Sequence, residues 1–471
     1  MLSNNKIFVN DFISPLRDCG CSLDAKRHYN GAVDNARLYN RALTEQEINA
    51  IMPETLLHFL FYYHSGSFGL GFEYRYFSAR RVMSMDFISD ELKELKDRAL
   101  LRHLRTVEGP QDPYIQVKGK SYLSFCSNNY LGLANHPRIK EAAIEAIHRY
   151  GWGAGASRLV SGNMTPHEEL EKKIAEFKGT EAALLFPTGY MANLGALCAL
   201  TGKGDVVIGD KLNHASIIDG CRQSGATFRI YPHNDVCHLE TLLKRHASFR
   251  RRLIVTDSVF SMDGDTAPLP EIVEVAKRYD ALIMVDDAHA LGVFGQQGKG
   301  MIEHCNLHGK IDIIMGSMSK ALGSIGGFIA GDRSLIDFLK NKARSFIYTT
   351  ALPPAACAAS LAALELIREH PSLREKLWDN ITYLKSRLSQ YKNAPAVQSP
   401  IIPLVIGTAE ETIRVSEKLY QSNILIPAIR PPTVPAGTSR LRISLMATHT
   451  TNDIDRLIEA FEKTGALTVT V

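Results

Sequence analysis

Between residues 182 and 331 the chain repeats one pattern: a short apolar run ending in a polar residue, a turn, and then a stretch with helical periodicity. The runs are AALLF (182–186), DVVIG (205–209), RLIVTDS (252–258), ALIMVDDAH (281–289), DIIMGS (312–317) and GGFIAG (326–331). They are short for helices and too continuously apolar for strands with one wet face, so they read as strands buried on both faces. Strands of that kind alternating with helices predict an α/β fold, with a mostly parallel central sheet flanked by helices.

The pattern has neighbours on both sides. A charged amphipathic helix (Ile88 to Arg105) and an extended segment (Tyr114 to Phe125) precede it, so that 85–130 forms an N-terminal portion and 131–350 the large domain. Past residue 350 the texture changes to an alanine-rich helix, a PIIPLVIG strand, a further helix and a last strand–helix unit in RLRISLMATHTTNDIDRLIEAFEK. This predicts a smaller C-terminal α+β domain over 351–471. Residues 1–84 read differently: YNGAVDNARLYNRALTEQEINAI (29–51) resembles the closing strand and short helix of a laminin-G-like jelly roll, which needs many more strands to close. We expect this leader to stand apart from the domains that follow, with Met83 or Met85 as the functional start; glycan binding through it is one possible function.

Composition narrows the function. With 471 residues the chain can bury a large core, and a net charge of +4 gives no field for nucleic acid or for a membrane surface. Leu56 to Phe72 is the one stretch suggesting a membrane segment, but it carries two histidines and three glycines and is too short to span. The N-terminus lacks the prompt apolar block of a signal peptide. Eight cysteines without framework spacing fit a reducing cytoplasm. Neither Cys19 with Cys21 nor His233 with Cys237 and His238 has the pattern of a zinc site, and Asp263-Gly264-Asp265 reads as a turn, so no metal is expected.

In open α/β sheets ligands gather at the carboxyl ends of strands, so the residues that close each run are the candidates for chemistry. ALLFPTGYMAN passes through Thr188, Gly189 and Tyr190 into a helix, which is either a phosphate cradle or a plain helix cap. LIVTDSVF runs on to Ser261. LIMVDDAH delivers Asp286 and His289; the aspartate could keep a cofactor ring nitrogen protonated and the histidine could donate to a phenolic oxygen, or both could be satisfied by loops. DIIMGSMSK delivers Ser317, Ser319 and Lys320, and a lysine in a partly desolvated site can form an imine whereas a surface lysine only solvates its charge.

The order of these elements resembles the fold-type I pyridoxal-phosphate enzymes. Within that group SFCSNNYLGLANHP, GAGASRLVSGN, NHASIIDG, VFSMDGDTAPLPEI, VDDAHALGVFG, SMSKALGSIGGF and IRPPTVPAGTSRLRISL resemble the α-oxoamine synthases, from about Leu92 to the last helix. The resemblance implies a pyridoxal 5'-phosphate-dependent acyltransferase. Lys320 would bond covalently to the cofactor and later remove the α-proton, His214 would stack on the ring, Asp286 would pair with its nitrogen, and His289 with Ser261 would lie near the ring oxygen. Gly189, Tyr190 and Ser317 would hold the phosphate. Arg442 would bind the amino-acid carboxylate, with Thr433 and Asn128 lining the substrate site and Arg102 near the acyl chain. DGDTAPLPEI, YPHNDVCHLE and QSPIIPLVIG resemble the biotin-pathway member, which implies L-alanine and a pimeloyl donor, pimeloyl-CoA or pimeloyl-acyl carrier protein. SFCSNNYLGLANHP also suits a member joining glycine to acetyl-CoA. A homodimer with active sites at the subunit interface is implied as well.

Overall fold

The computed structural model describes residues 85–467, so the laminin-G-like stretch and Met83 lie outside the described residues. Helix α1 (Asp86–Asp97) opens the described chain and stops well short of Arg105. Ala99 adopts φ 55°, and the Leu95 carbonyl accepts the amides of both Leu100 and Leu101, turning the chain out of the helix. No residue of α1 is buried, so no packing against the described residues extends it. The single extended segment expected over 114–125 is a hairpin instead. Strands β1 (Tyr114–Val117) and β2 (Lys120–Ser124) pair antiparallel around Lys118 and Gly119, whose φ of 51° and 70° give the tight turn that matches strand twist.

Helices α2 (Pro137–Tyr150) and α3 (Thr165–Lys178) lead into the main sheet. It contains β3 (Ala182–Phe186), β4 (Val206–Asp210), β5 (Thr227–Tyr231), β6 (Arg252–Asp257), β7 (Leu282–Asp286), β8 (Ile313–Ser317) and β9 (Gly327–Gly331). Their spatial order is β3-β9-β8-β7-β6-β4-β5. The pairs from β5 through β8 are parallel, while β9 runs antiparallel to both its neighbours. The six apolar runs therefore all became strands, each within a residue or a few of its expected ends. The seventh strand, β5, went unpredicted: TFRIY lies at the sheet edge and is only partly buried, so its sequence lacks a continuous apolar run.

Alternation along each strand feeds two cores. Leu184, Val207, Leu253, Val255, Met284 and Ile329 pack with α4 (Gly189–Leu200), α5 (Ala215–Gln223) and α8 (Arg333–Lys342). Leu185, Val206, Ile208, Ile254, Val285 and Ile314 face the other way, onto a core shared with α3, α6 (Val236–Arg245), α7 (Leu269–Arg278), α9 (Pro354–Glu369) and α10 (Ser372–Leu388). Each such side chain contributes about 1.5–3 kcal/mol when fully buried. A one-residue slip would exchange the two sets, which fixes the register and with it the residues at the strand ends.

The C-terminal part has its own sheet of β10 (Ile401–Gly407), β12 (Ala428–Ile429) and β13 (Ser439–Ser444), in the order β10-β13-β12 and antiparallel throughout. Helices α11 (Ala409–Gln421) and α12 (Thr451–Thr464) accompany it, and the two-residue β11 (Ile424–Leu425) joins the edge of β2 in parallel. Among the described residues no helix is long and apolar enough to cross a membrane.

The expected Asp263-Gly264-Asp265 turn fastens the C-terminal sheet to the main one. Asp263 pairs with Arg440 of β13. Gly264 has φ 71° and lies so close to β10 that a Cβ there would stand 1.9 Å from the Ile401 carbonyl oxygen. Asp265 accepts from His233 at 2.6 Å, and His233 bridges on to Asp210 at 3.0 Å. Burial opposes the imidazolium, but hydrogen bonds and charges from the two carboxylates overcome it and push His233 up to about 10. A histidine whose folded pKa exceeds its unfolded value of 6.5 contributes its full stabilisation below that value and loses it as pH rises towards 10. The difference in thermal unfolding midpoint between the wild type and His233→Gln is therefore expected to be largest near pH 6 and to shrink steadily towards pH 10. A pH-independent difference in differential scanning fluorimetry would contradict the bridge.

Candidate active site

The carboxyl ends of β3, β4, β6, β7 and β8 open onto two cavities of about 280 and 250 Å³ that share Asn128, His214, His289 and Lys320. The smaller also takes in Gly189, Tyr190, Asn193, Asp257, Asp286, Ser317 and Ser319. Ser261 and Arg442 line the larger, with Cys126, Met262, Pro427 and Ile429. Ten of the twelve residues expected from sequence thus border one joined space. Arg102 and Thr433 line neither cavity; the Arg102 guanidinium instead reaches the Thr433 hydroxyl at 3.5 Å and the Pro431 carbonyl at 3.3 Å.

At one end Thr188 caps α4 through its hydroxyl, which accepts the Met191 amide at 3.1 Å, leaving Gly189 and Tyr190 to open the helix. A Cβ on Gly189 would come within 2.8 Å of the Met315 methyl, and one on Gly327 would meet the Gly189 Cα at 2.6 Å. Two glycines therefore let the helix start lie hard against β8 and β9. The Ser317 and Ser319 hydroxyls stand 3.3 Å apart beside it. Backbone N–H groups, a helix dipole and two hydroxyls together make a site for a phosphate. Tyr190 is half open to solvent and hydrogen bonds Asp219.

Asp286 closes the opposite side. Its carboxylate accepts from Asn193 Nδ2 at 2.7 Å and from the Ala288 amide at 3.0 Å. Asp257 lies beside it in register on β6, accepts the His214 amide at 2.7 Å, and has its pKa driven well up by burial and then by the Asp286 charge. Asn193 Nδ2 also donates to Ser216 Oγ at 2.9 Å, and that hydroxyl meets His214 Nδ1 at 2.7 Å. The Asn193 side-chain Oδ1 is buried, with no hydrogen-bond partner among the described residues. Sequence reasoning missed Asn193, Asp257 and Ser216. The one available signal was an asparagine inside GYMANLGALCAL, a helix otherwise apolar on all sides.

Lys320 lies between these ends, and desolvation lowers its pKa, increasing the share of free amine, although Asp286 and Asp257 pull the other way. Burial likewise lowers His289 strongly, reinforced by the Lys320 and Arg442 charges. His214 shows its ring to the cavity, yet the enclosing protein still lowers its pKa. Both imidazoles are therefore neutral at pH 7.

The two arginines of RLRIS project from the same face of β13 but differ in pairing. Arg440 has Asp263 as its partner. Arg442, only 7% exposed, donates to the Ser261 carbonyl, to Ser444 Oγ at 2.6 Å and to Tyr130 Oη at 3.4 Å. None of these acceptors is anionic. Among the described residues this buried guanidinium, which lines a cavity, has no counter-charge, so it could receive a carboxylate. A phosphate cradle, a carboxylate for a pyridine N–H and a weakly basic lysine between them are the donor set that pyridoxal phosphate requires, and these residues could hold it.

Comparison with known proteins agrees with this chemistry. Residues 120–461 match the family model described as aminotransferase class I and II. An 8-amino-7-oxononanoate synthase of Thermoanaerobacter pseudethanolicus is 49% identical over 386 residues, which cover 82% of this chain and 98% of the relative. Among solved structures, a serine palmitoyltransferase with pyridoxal phosphate superposes with a TM-score of 0.77 at 33% identity, over 81% of this chain and 97% of the other. An 8-amino-7-oxononanoate synthase of Francisella tularensis gives a TM-score of 0.63 at 28% identity, over 73% and 97% of the two chains.

Asn193→Ala removes the side-chain donor to Asp286 while leaving the backbone one. Loss of a charge-assisted hydrogen bond at a buried carboxylate is expected to lower unfolding stability by about 2 kcal/mol. Urea denaturation without added cofactor measures it, and an unchanged midpoint would show that Asp286 does not depend on this contact.

Proposed function

Because the chain belongs to the class I and II aminotransferase family, we propose that it is a pyridoxal-phosphate-dependent acyltransferase that condenses L-alanine with a pimeloyl thioester. The products are 8-amino-7-oxononanoate, carbon dioxide and the free thiol carrier, a step of biotin biosynthesis. The observation that carries the reading is the pairing, around one cavity, of Lys320, an amine of reduced basicity, with Arg442, a buried guanidinium that has no counter-charge among the described residues. An α-amino acid has one group for each. The name of the 49% identical relative supports the choice of alanine and pimeloyl donor.

When bound, pyridoxal phosphate supplies a ring that accepts electrons from the α-carbon of the attached amino acid. In this reading Gly189, Tyr190, Ser317 and Ser319 would hold its phosphate, Asp286 would keep its ring nitrogen protonated, and His214 would stack on the ring. His289, with Ser261, would lie near the ring oxygen. Arg442 grips the carboxylate of alanine and so orients the Cα–H bond towards Lys320, whose free amine takes that proton. The nucleophilic carbon then attacks the thioester carbonyl and expels the thiolate. The carboxylate at Arg442 leaves as carbon dioxide, and a proton delivered to the same carbon completes the aminoketone. Asn128 lines the substrate side, while Arg102 and Thr433 form a pair that we assign to the entry of the acyl donor.

Both pimeloyl-CoA and pimeloyl-acyl carrier protein are compatible donors, and we propose a homodimer. Trp152, Val160 and Tyr348 are 71%, 81% and 72% exposed, and the bridge between Ser157 and Thr350 ties their two segments together. Large apolar side chains so exposed favour burial against a second copy.

Purified protein supplied with pyridoxal phosphate, L-alanine and either pimeloyl donor is expected to form 8-amino-7-oxononanoate, read by mass spectrometry. Product from glycine with acetyl-CoA, and none from alanine, would favour the alternative condensation. After borohydride reduction the cofactor mass should appear on the peptide containing Lys320 and vanish in Lys320→Ala. Arg442→Ala is expected to raise KM for alanine by about 10- to 100-fold, the worth of a hydrogen-bonded ion pair, while leaving KM for the pimeloyl donor nearly unchanged. Equal loss for both substrates in steady-state kinetics would remove Arg442 from the carboxylate site.

A further inference from the structure

Tyr130 is completely buried and was not among the residues singled out by sequence, yet its hydroxyl meets three that were. It lies 2.8 Å from His289 Nδ1, 3.2 Å from Asn128 Oδ1 and 3.4 Å from Arg442, whose guanidinium can only donate. The residue is fixed from behind as well: its amide donates to the Asn128 carbonyl at 2.8 Å, and its carbonyl accepts the Ala447 amide at 2.7 Å. This second bond anchors it to the segment that follows β13, the strand carrying Arg442.

A phenol has one proton to give. Arg442 occupies an acceptor lobe of the oxygen and draws electron density from it, which strengthens the O–H as a donor and weakens the oxygen as an acceptor for a second N–H. The nearest acceptor for that proton is His289 Nδ1, closer than Asn128 Oδ1. With Nδ1 accepting, a neutral His289 carries its own proton on Nε2.

We propose that Tyr130 is the positioning residue of this site: by holding Arg442 and donating to His289 Nδ1, it selects the tautomer that presents an Nε2–H donor. The inference rests on the roles given to Arg442 and His289 in the proposed condensation. One hydroxyl thus sets both the group that binds the amino-acid carboxylate and the group that faces the ring oxygen. Neither could turn without disturbing the other.

The test is Tyr130→Phe, which keeps the ring and its packing and deletes only the oxygen. Long-range proton–nitrogen spectra of the full chain labelled with nitrogen-15 histidine, with His289→Asn used for assignment, are recorded without added cofactor under conditions where the imidazole is neutral. The wild type is expected to show His289 as the Nε2–H form, and Tyr130→Phe to show a mixture or the Nδ1–H form. Steady-state assay of the loaded enzyme should then give a rise of about tenfold in KM for alanine in the variant, with KM for the pimeloyl donor unchanged. An Nδ1–H tautomer in the wild type, an identical tautomer in both proteins, or equal rises in KM for both substrates would each overturn the proposal. Should the wild type make no product from alanine, the reaction proposed above fails while the tautomer comparison still decides the role of Tyr130.

Discussion

Two carboxylates end neighbouring strands in register, Asp257 on β6 and Asp286 on β7, and the site is arranged around the cost of burying them together. Like charges so close cannot both stay ionised cheaply in a poorly solvated place. Asp257 has its pKa raised and is held by the His214 amide, while Asp286 receives Asn193 and the Ala288 amide. Asp287, the next residue, is neutralised separately by the buried Lys178 at 2.7 Å. Burial and the neighbouring carboxylate thus disfavour a second charge at Asp257, while α4 and the β7 turn direct their donors to Asp286.

The carboxylate of Asp286 is useful only if the C-terminal sheet delivers Arg442 to the same cavity, which depends on the turn at 261–265. Gly264 permits backbone-to-backbone approach to Ile401, Asp263 takes Arg440 as its partner, and the Ser261 carbonyl receives Arg442. The turn therefore sorts two arginines on one face of β13 into one paired with a carboxylate and one held by neutral acceptors. His233 clamps the other side of the turn to the end of β4 through Asp210 and Asp265. Packing between the sheets and placement of Arg442 therefore rest on the same turn.

Much of this could be read from the residues. Strands buried on both faces leave a continuous apolar run, so β3, β4, β6, β7, β8 and β9 were legible, and the rule that ligands collect at strand ends pointed to Gly189, Asp286, His289, Ser317 and Lys320. Strand β5 was not legible, because an edge strand needs apolar residues on one face only. The end of α1 was hidden too, since its charged periodicity runs past the point at which Ala99 breaks the backbone. Asn193, Asp257 and Tyr130 escaped for a different reason. Their importance lies in contacts made across the fold, Asn193 with Asp286 and Tyr130 with Arg442, and no local pattern encodes a partner 93 or 312 positions away.

The tethers on Arg442 bear on catalysis as well as binding. The carboxylate it would hold is the group that must depart as neutral carbon dioxide, so an interaction equally strong at every stage would lower KM without helping the chemical step. A guanidinium kept in place by a carbonyl and two hydroxyls, with no carboxylate partner among the described residues, would receive the substrate anion without first breaking an ion pair. Once the anion is lost the guanidinium keeps these neutral acceptors and has no counter-ion, which favours entry of the next carboxylate. Holding the cation with neutral acceptors would thus leave it open to an anion and spare it reorganisation when that anion ceases to exist.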